Sequence, residues 1–219
     1  MESKSVAVLH RAVTQDAVLI LFDMMDTLLD DPFFRAVHRL MDDAALRRWA
    51  RLRNPQAFLD FEAGLIGEAR YYRDFFQPGV DIAGLPTPQR LKKEMMKEVS
   101  WLPGIPELLR RIRQPMGLAS NYSLWYRDIF QKRRDLPQFF DYFFFSCEVG
   151  HRKPDRAFFQ TAHEALIERW ENHQTEIIFF DDREENLIEP AALGWHTILI
   201  EKDRAAQIIE EALREHGLL

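Results

Sequence analysis

Apolar residues in this chain fall into short unbroken runs, separated by longer segments in which they recur every three or four positions. AVLILF (17–22) contains no polar residue and reads as a strand buried on both faces. PMGLAS (115–120), YFFFS (142–146), EIIFF (176–180) and HTILI (196–200) are the other predicted strands. Helical spacing fills the segments around 104–113, 123–134, 155–171, 184–193 and 203–216. Strand and helix in alternation imply right-handed crossovers and a mostly parallel sheet covered on both faces. The expected fold class is therefore α/β, with a Rossmann-like parallel sheet.

Residues 31–100 depart from that rhythm. They hold no convincing strand, but the pieces around 32–50, 55–63, 66–76 and 87–99 have helical spacing. Asp31 before Pro32 reads as an N-cap with proline at the first helical position. Pro78, Gly79, Gly84, Pro86 and Pro88 mark a loop before the last helix of the block. The sheet resumes near Leu102-Pro103-Gly104, so the predicted organisation is a core of 1–30 and 101–219 with a helical insert of 31–100. No internal repeat or low-complexity tract is present.

Composition narrows the partners. With 219 residues, 47 % hydrophobic and 29 % charged, the chain can bury one sizeable core and a smaller satellite. A formal net charge of −6 argues against a nucleic-acid or anionic-membrane surface. Lys132, Arg133 and Arg134 form the one basic cluster, which reads as a solvated helix end. A single cysteine, Cys147, forms no internal disulfide and suits a reducing compartment. Residues 1–16 carry no signal-peptide pattern, and no window approaches the roughly 18 apolar residues of a membrane span. The expectation is a soluble, cytoplasmic protein, with no nucleic acid or membrane as partner; nothing in the sequence sets its oligomeric state.

In an open parallel sheet, ligands sit at the carboxyl ends of the strands. Here those ends are polar: Asp23 after the first strand, Ser120-Asn121 after the second and Asp181-Asp182 after the fourth. Lys153 follows the third strand in HRKPD. Three acids, a hydroxyl and a lysine on one rim suit a phosphate and a divalent metal, because carboxylates hold Mg²⁺ while lysine neutralises phosphate oxygens. Each has a plainer reading as well. Asp23 could simply end a strand, Asp181-Asp182 could cap the following helix, Ser120-Asn121 could be turn residues, and Lys153 could be a surface lysine.

FDMMDTLL, LASN, HRKPDRAFF and FFDDREENL, taken in order, resemble the four motifs of the haloacid dehalogenase (HAD) superfamily of phosphatases. The resemblance runs from about residue 17 to 200, and the helical insert falls where that family carries a helical cap. FDMMDTLLDDPF, DFEAGLI, SNYSLWY and GHRKPD are similar, more narrowly, to a plant and bacterial subgroup that includes a chloroplast phosphatase acting on flavin mononucleotide (FMN). The resemblance implies that Asp23 is a nucleophile forming an aspartyl-phosphate. It implies that Ser120 hydrogen-bonds the phosphoryl group with Asn121 close by, and that Lys153 screens charge between nucleophile and phosphate. Asp182 would ligate Mg²⁺ together with Asp23 and the Met25 backbone carbonyl, assisted by Asp181, while Asn186 orients these carboxylates.

Met25 departs from the family. Most phosphatases of the superfamily place a second aspartate there to protonate the leaving oxygen and later activate water. Asp26 comes one position late. An extended chain would point it away from Asp23, whereas a helical turn would return it at i+3. The expectation is the helical turn, with Asp26 as acid/base. Tyr122, Trp125 and Tyr126 follow the second motif and could stack on a flat ring such as isoalloxazine, or pack between helices. Phe33, Phe34, Trp49 and Phe58 read as core, and Phe61-Glu62 with Gly64 as packing or a substrate-facing loop. The seven histidines, at 10, 38, 151, 163, 173, 196 and 216, show no zinc-type spacing; His151 could reach a substrate, and Cys147 reads as buried and inert.

The resulting expectation is a Mg²⁺-dependent phosphomonoester hydrolase acting on a small phosphorylated metabolite, FMN first, then a sugar phosphate or another nucleotide. One rival is a 2-haloacid dehalogenase, which also lacks the second aspartate but needs no metal, so Asp181-Asp182 speaks against it. The other is a non-catalytic HAD-like module in which Met25 marks a lost acid.

Overall fold

The computed structural model describes residues 18–169 and 176–219. In chain order its elements are β1 (Val18–Phe22), β2 (Leu29–Asp30), then the helices α1 (Phe33–Leu40), α2 (Asp43–Leu52), α3 (Pro55–Glu62), α4 (Glu68–Asp74) and α5 (Pro88–Met95). There follow β3 (Ser100–Trp101), α6 (Ile105–Leu109), β4 (Met116–Ser120), α7 (Tyr126–Lys132), β5 (Tyr142–Phe145), α8 (Ser146–Val149) and α9 (Arg156–Arg169). The chain closes with β6 (Glu176–Asp181), α10 (Ile188–Ala192), β7 (His196–Leu199) and α11 (Ala205–Glu215). Residues 1–17 and 170–175, with the expected leaderless start, Ala17, the end of the predicted 155–171 helix, His10 and His173, lie outside the described residues.

The expected α/β sheet forms. Five parallel strands run in the order β5-β4-β1-β6-β7. Strand periodicity explains the two-sided core. Ile20 and Phe22 of β1 join Leu118, Phe180, Ile105, Leu108, Ile209 and Leu213 on the face covered by α6 and α11. Leu19 and Leu21 join Ala119, Phe179, Phe158, Phe159 and Ala162 on the face covered by α9. Gly117 is required in β4, since a Cβ there would lie 2.7 Å from the Leu21 side chain and 2.9 Å from that of Tyr142. The register pairs Phe22 with both Leu118 and Phe180, so β1, β4 and β6 end level with one another. That alignment delivers Asp23, Ser120 and Asp181 to a single rim.

The helical segment leaves and rejoins the sheet through a two-stranded antiparallel ribbon, with Leu29 opposite Trp101 and Asp30 opposite Ser100. Strands of two residues are too short to produce a periodic signal, which is why none was predicted there. The expected helix over 32–50 is instead two helices. Met41 is extended, and the Asp42 carboxylate accepts the Ala45 N–H at 2.8 Å, restarting the helix with a new cap. At the start of α1, Asp31 accepts the Phe33 N–H at 2.8 Å. Among the described residues, no helix is long and apolar enough to cross a membrane.

Candidate active site at the sheet rim

Asp23 continues β1 for one step, its N–H donating to the Phe180 carbonyl at 2.8 Å. The Lys153 ammonium, almost fully buried, bridges Asp23 at 2.8 Å and Asp181 at 2.5 Å. Asn121 holds that lysine in place by a two-way clamp: its side-chain amide donates to the Lys153 carbonyl and accepts the Lys153 N–H, both at 2.7 Å. The Asn121 amide, expected to bind substrate, is thus committed to positioning Lys153. The Ser120 side chain lies close enough to Asp23 to favour its carboxylate form slightly.

Asp181 is fully buried and both of its oxygens are engaged. One oxygen faces Lys153, and the other accepts the Arg183 N–H and the Asn186 amide, each at 2.9 Å. Asp182 has no lysine or arginine ion-paired with it among the described residues. Burial first, then the charges of Asp23 and Asp181, push its carboxyl up to about 7. Burial likewise raises Asp23, with Asp181 adding to the effect and Lys153 opposing it. Three carboxylates against one ammonium leave two negative charges, which is the charge of a divalent cation. The donor set therefore fits Mg²⁺: Asp182 and the oxygen of Asp23 not facing Lys153 are hard ligands. Asn186 Oδ1 is buried without a hydrogen-bond partner, a ready acceptor for a metal-held water. The Met25 carbonyl accepts no hydrogen bond among the described residues, whereas that of Met24 takes the N–H groups of Leu28 and Leu29.

This charge imbalance has a measurable consequence. The folded-state value of about 7 for Asp182 lies above its ordinary 3.8, so the folded protein binds more protons between those limits. Stability of the metal-free protein then falls as pH rises through about 7. Mg²⁺ replaces the proton, so it raises the melting temperature more at pH 8 than at pH 5.5. Equal shifts in thermal melts at the two pH values would contradict this account.

The right-handed helical turn expected at Asp26 does not form. Asp26 adopts a left-handed backbone with φ of 57° and donates its N–H to Leu29 at 2.6 Å. Its carboxylate accepts the Asp31 N–H at 3.0 Å and pairs with Lys202 at 2.6 Å. The i, i+3 argument needed a right-handed helical turn; a left-handed residue sends the side chain elsewhere. Asp26 thus takes a left-handed turn conformation with its carboxylate held by Asp31 and Lys202, and the right-handed turn on which the acid/base expectation rested does not form. Asp26→Ala is expected to cost about 1–2 kcal/mol in chemical denaturation, through the left-handed backbone alone. Asp26→Gly should cost less, and neither should lower turnover tenfold.

Between the rim and the helical segment lies a cavity of about 370 Å³. Met25 and Tyr122 face Arg53, Phe58, Glu62 and Tyr71 across it. The Tyr122 hydroxyl is buried without a partner, and burial raises its pKa, keeping it a donor. Arg53 has no carboxylate partner among the described residues. Its guanidinium lies 4.6 Å from the Trp49 ring centre and 5.1 Å from that of Phe75, and it hydrogen-bonds Tyr71. Trp125, expected to offer a stacking face, lines the cavity but packs edge-on against Phe61 at 5.7 Å and Tyr71 at 5.8 Å. Its indole N–H donates to Glu68 at 2.7 Å, so its main work is to join the helical segment to the sheet. Tyr126 stacks on Phe145 at 4.1 Å as core packing. His151 lines a different cleft with Gln56 and Leu59.

Three contacts, made by Glu62 and Gly64 in keeping with the packing alternative, dock α3 and the turn after it onto the core. Glu62 pairs with Arg152 at 2.5 Å, and Ser146 donates to the Glu62 carbonyl at 2.6 Å. Gly64, at φ 71°, lies so close to α8 that a Cβ would be 2.0 Å from the Cys147 carbonyl oxygen. Cys147 is buried, and burial pushes its thiol up to about 12, in line with an inert thiol. Local sequence carries no signal for Arg53, whereas Glu62 lies in the DFEAGLI motif and Arg152 in GHRKPD.

Comparison with known proteins agrees with this architecture. A family model described as haloacid dehalogenase-like hydrolase matches residues 18–194. The chain is 30 % identical over 172 residues to flavin mononucleotide hydrolase 1 of Arabidopsis thaliana, covering 77 % of this chain and 66 % of that protein. The chain thus spans just under two thirds of that relative's length. Among solved structures, the HAD-hydrolase YfnB of Bacillus subtilis, bound to magnesium, superposes with a TM-score of 0.66 at 18 % identity, covering 92 % of this chain and 99 % of that one. A HAD-like family hydrolase from Porphyromonas gingivalis gives 0.63 at 22 % identity, covering 90 % and 98 %. With its family model spanning most of the chain and its sheet built as theirs is, this protein belongs to the haloacid dehalogenase-like hydrolases.

Proposed function

We propose that the protein is a Mg²⁺-dependent phosphomonoester hydrolase working through an aspartyl-phosphate on Asp23, with FMN as its substrate. The observation that carries this reading is the Asp23–Lys153–Asp181 array, which together with Asp182 leaves two uncompensated negative charges beside an aromatic-walled cavity. Asp23 attacks phosphorus, the ester oxygen departs, and water then attacks phosphorus to free inorganic phosphate and restore the carboxylate. Lys153 and Ser120 hold Asp23 aimed, and Lys153 offsets the anionic charge. Asp182 and Asp23, with the Met25 carbonyl, would hold Mg²⁺, which when bound stabilises charge on the phosphoryl oxygens. Residues 31–100 act as a cap over the core of 1–30 and 101–219, and cap closure excludes water.

With Met25 apolar and Asp26 engaged by Lys202, we assign the leaving-oxygen proton to Glu62. Burial raises its carboxyl above the usual range against the opposing pull of its Arg152 ion pair, the Asp23 charge adds a smaller rise, and the residue faces the cavity. Glu62→Gln is expected to slow hydrolysis of an alkyl phosphate by about 10²-fold or more. It should slow p-nitrophenyl phosphate, whose leaving group needs no proton, much less. Equal losses on both esters would refute the assignment.

FMN is favoured because the cavity pairs flat aromatic walls with an unpaired guanidinium at Arg53 and a free phenol at Tyr122. These groups suit a planar ring with carbonyl edges. The relative whose name includes flavin mononucleotide supports the same choice. A lone, buried Cys147 thiol suits work in a reducing compartment such as the cytoplasm. The test is phosphate release with Mg²⁺ from FMN, sugar phosphates and nucleoside monophosphates. FMN should show the highest kcat/KM, and Arg53→Ala should raise KM for FMN without raising it for p-nitrophenyl phosphate. No release from any ester by the folded protein removes the proposal, and metal-independent halide release from a 2-haloacid would replace it with the dehalogenase reading.

A further inference from the structure

The opposite end of the sheet carries a second cluster that the proposed chemistry leaves unused. Glu176 opens β6, His196 opens β7, and His216 follows directly on α11. Because β7 pairs His196 with Ile178, two residues from Glu176, both side chains leave the same side of the sheet. The histidine Nε2 atoms lie 3.3 Å (His196) and 3.7 Å (His216) from one Glu176 carboxylate oxygen. One ligand atom from each of the three residues falls within 4.8 Å of the others. No lysine or arginine is ion-paired with Glu176 among the described residues.

The hydrogen bonding of His216 sharpens this geometry. Its Nδ1 lies 2.9 Å from the Ala212 carbonyl, which accepts a proton only from an Nδ1–H imidazole. When that ring is neutral, Nε2 carries a lone pair facing a carboxylate oxygen, and a metal ion between the two acceptors, like a proton on Nε2, removes the conflict. A ring nitrogen bonded to a backbone carbonyl is also the usual support for a metal-binding histidine. Tetrahedral bonds of about 2.0–2.1 Å place ligand atoms roughly 3.3 Å apart, close to the two distances from Glu176 to the histidines. Two imidazoles and one carboxylate favour zinc-class ions over magnesium. At roughly 3.3 Å per residue, the length of β6 holds this cluster about 16 Å from Asp181, so it is no part of the rim.

We propose that Glu176, His196 and His216 form a site for a divalent transition metal of the zinc class. Three protein ligands and a water complete the coordination, and the ion clips the end of α11 to the sheet. Nothing in this depends on the phosphatase reading. The test is a Zn²⁺ titration of untagged full-length protein, with millimolar Mg²⁺ present to saturate the rim. One equivalent of Zn²⁺ should bind and raise the melting temperature, and Co²⁺ in its place should show the strong visible absorption of a four-coordinate ion. Asp182→Asn should keep this binding, whereas His216→Ala and Glu176→Gln, checked for folding by circular dichroism, should each lose it. Wild-type protein that takes up no Zn²⁺ under these conditions, or a His216→Ala variant that keeps the equivalent and the Co²⁺ spectrum, overturns the site.

Discussion

Asp23→Asn is expected to reduce phosphate release on the order of 10⁴-fold or more, since removal of a nucleophile leaves only binding and electrostatics. The amide is isosteric, so Lys153 keeps its contact with Asp181 and the rim retains its shape. One negative charge disappears from a cluster in which Asp23, Asp181 and Asp182 repel one another. The metal-free variant should therefore melt no lower than wild type, while its stabilisation by Mg²⁺ shrinks without vanishing, because Asp182 remains. A variant that turns over FMN at wild-type rate would exclude Asp23 as the attacking group. A dead variant that is also unfolded would leave the question to circular dichroism and to Asp23→Glu, which keeps the charge but moves the oxygen by a carbon–carbon bond.

Lys153→Met is the second large effect, and it separates structure from chemistry. The ammonium is buried between two carboxylates, and its loss leaves both in a low-dielectric interior without a counter-charge. Breaking such a buried pair costs about 3–5 kcal/mol, so the metal-free variant should show a clear loss in chemical denaturation. Mg²⁺ should recover part of that loss, because it supplies positive charge to the same oxygens. Turnover should fall by about 10²–10³-fold even when the protein is saturated with Mg²⁺, since a fixed cation no longer faces the phosphoryl group. Adding Asp23→Asn to Lys153→Met removes one of the stranded charges, so the double variant should be more stable than Lys153→Met alone, a coupling read directly from the cycle. If Lys153→Met is as stable as wild type, the ammonium is not the counter-ion that its position implies.

Much of this molecule is legible in one dimension because burial writes itself into the chain. VLILF must be a central strand, since nothing in it tolerates water, and its alternate residues feed two separate apolar clusters. Parallel strands that end in register then deliver Asp23, Ser120 and Asp181 to one rim, so a residue following a strand can be assigned to the site without coordinates. The break between α1 and α2 was missed because Asp42, a single polar residue in an otherwise helical pattern, captures a backbone N–H and restarts the helix. The right-handed turn expected at Asp26 failed to form for a related reason. The hand of one turn residue decides where its side chain goes, and aspartate is among the few residues that accept either hand.

What the sequence determined by itself is whatever repeats with the period of an element or sits at the end of one: the parallel sheet, its two covered faces and the polar rim. Only the tertiary structure decided the rest. It bound Asp26 to Lys202, turned Asn121 into the clamp on Lys153, and set Arg53 and Glu62 across the cavity from Tyr122. It also brought His216 against Glu176 and His196 at the far end of the sheet. Those pairings join residues on different elements. Their distances are set by how helices and strands dock, and no local periodicity records that.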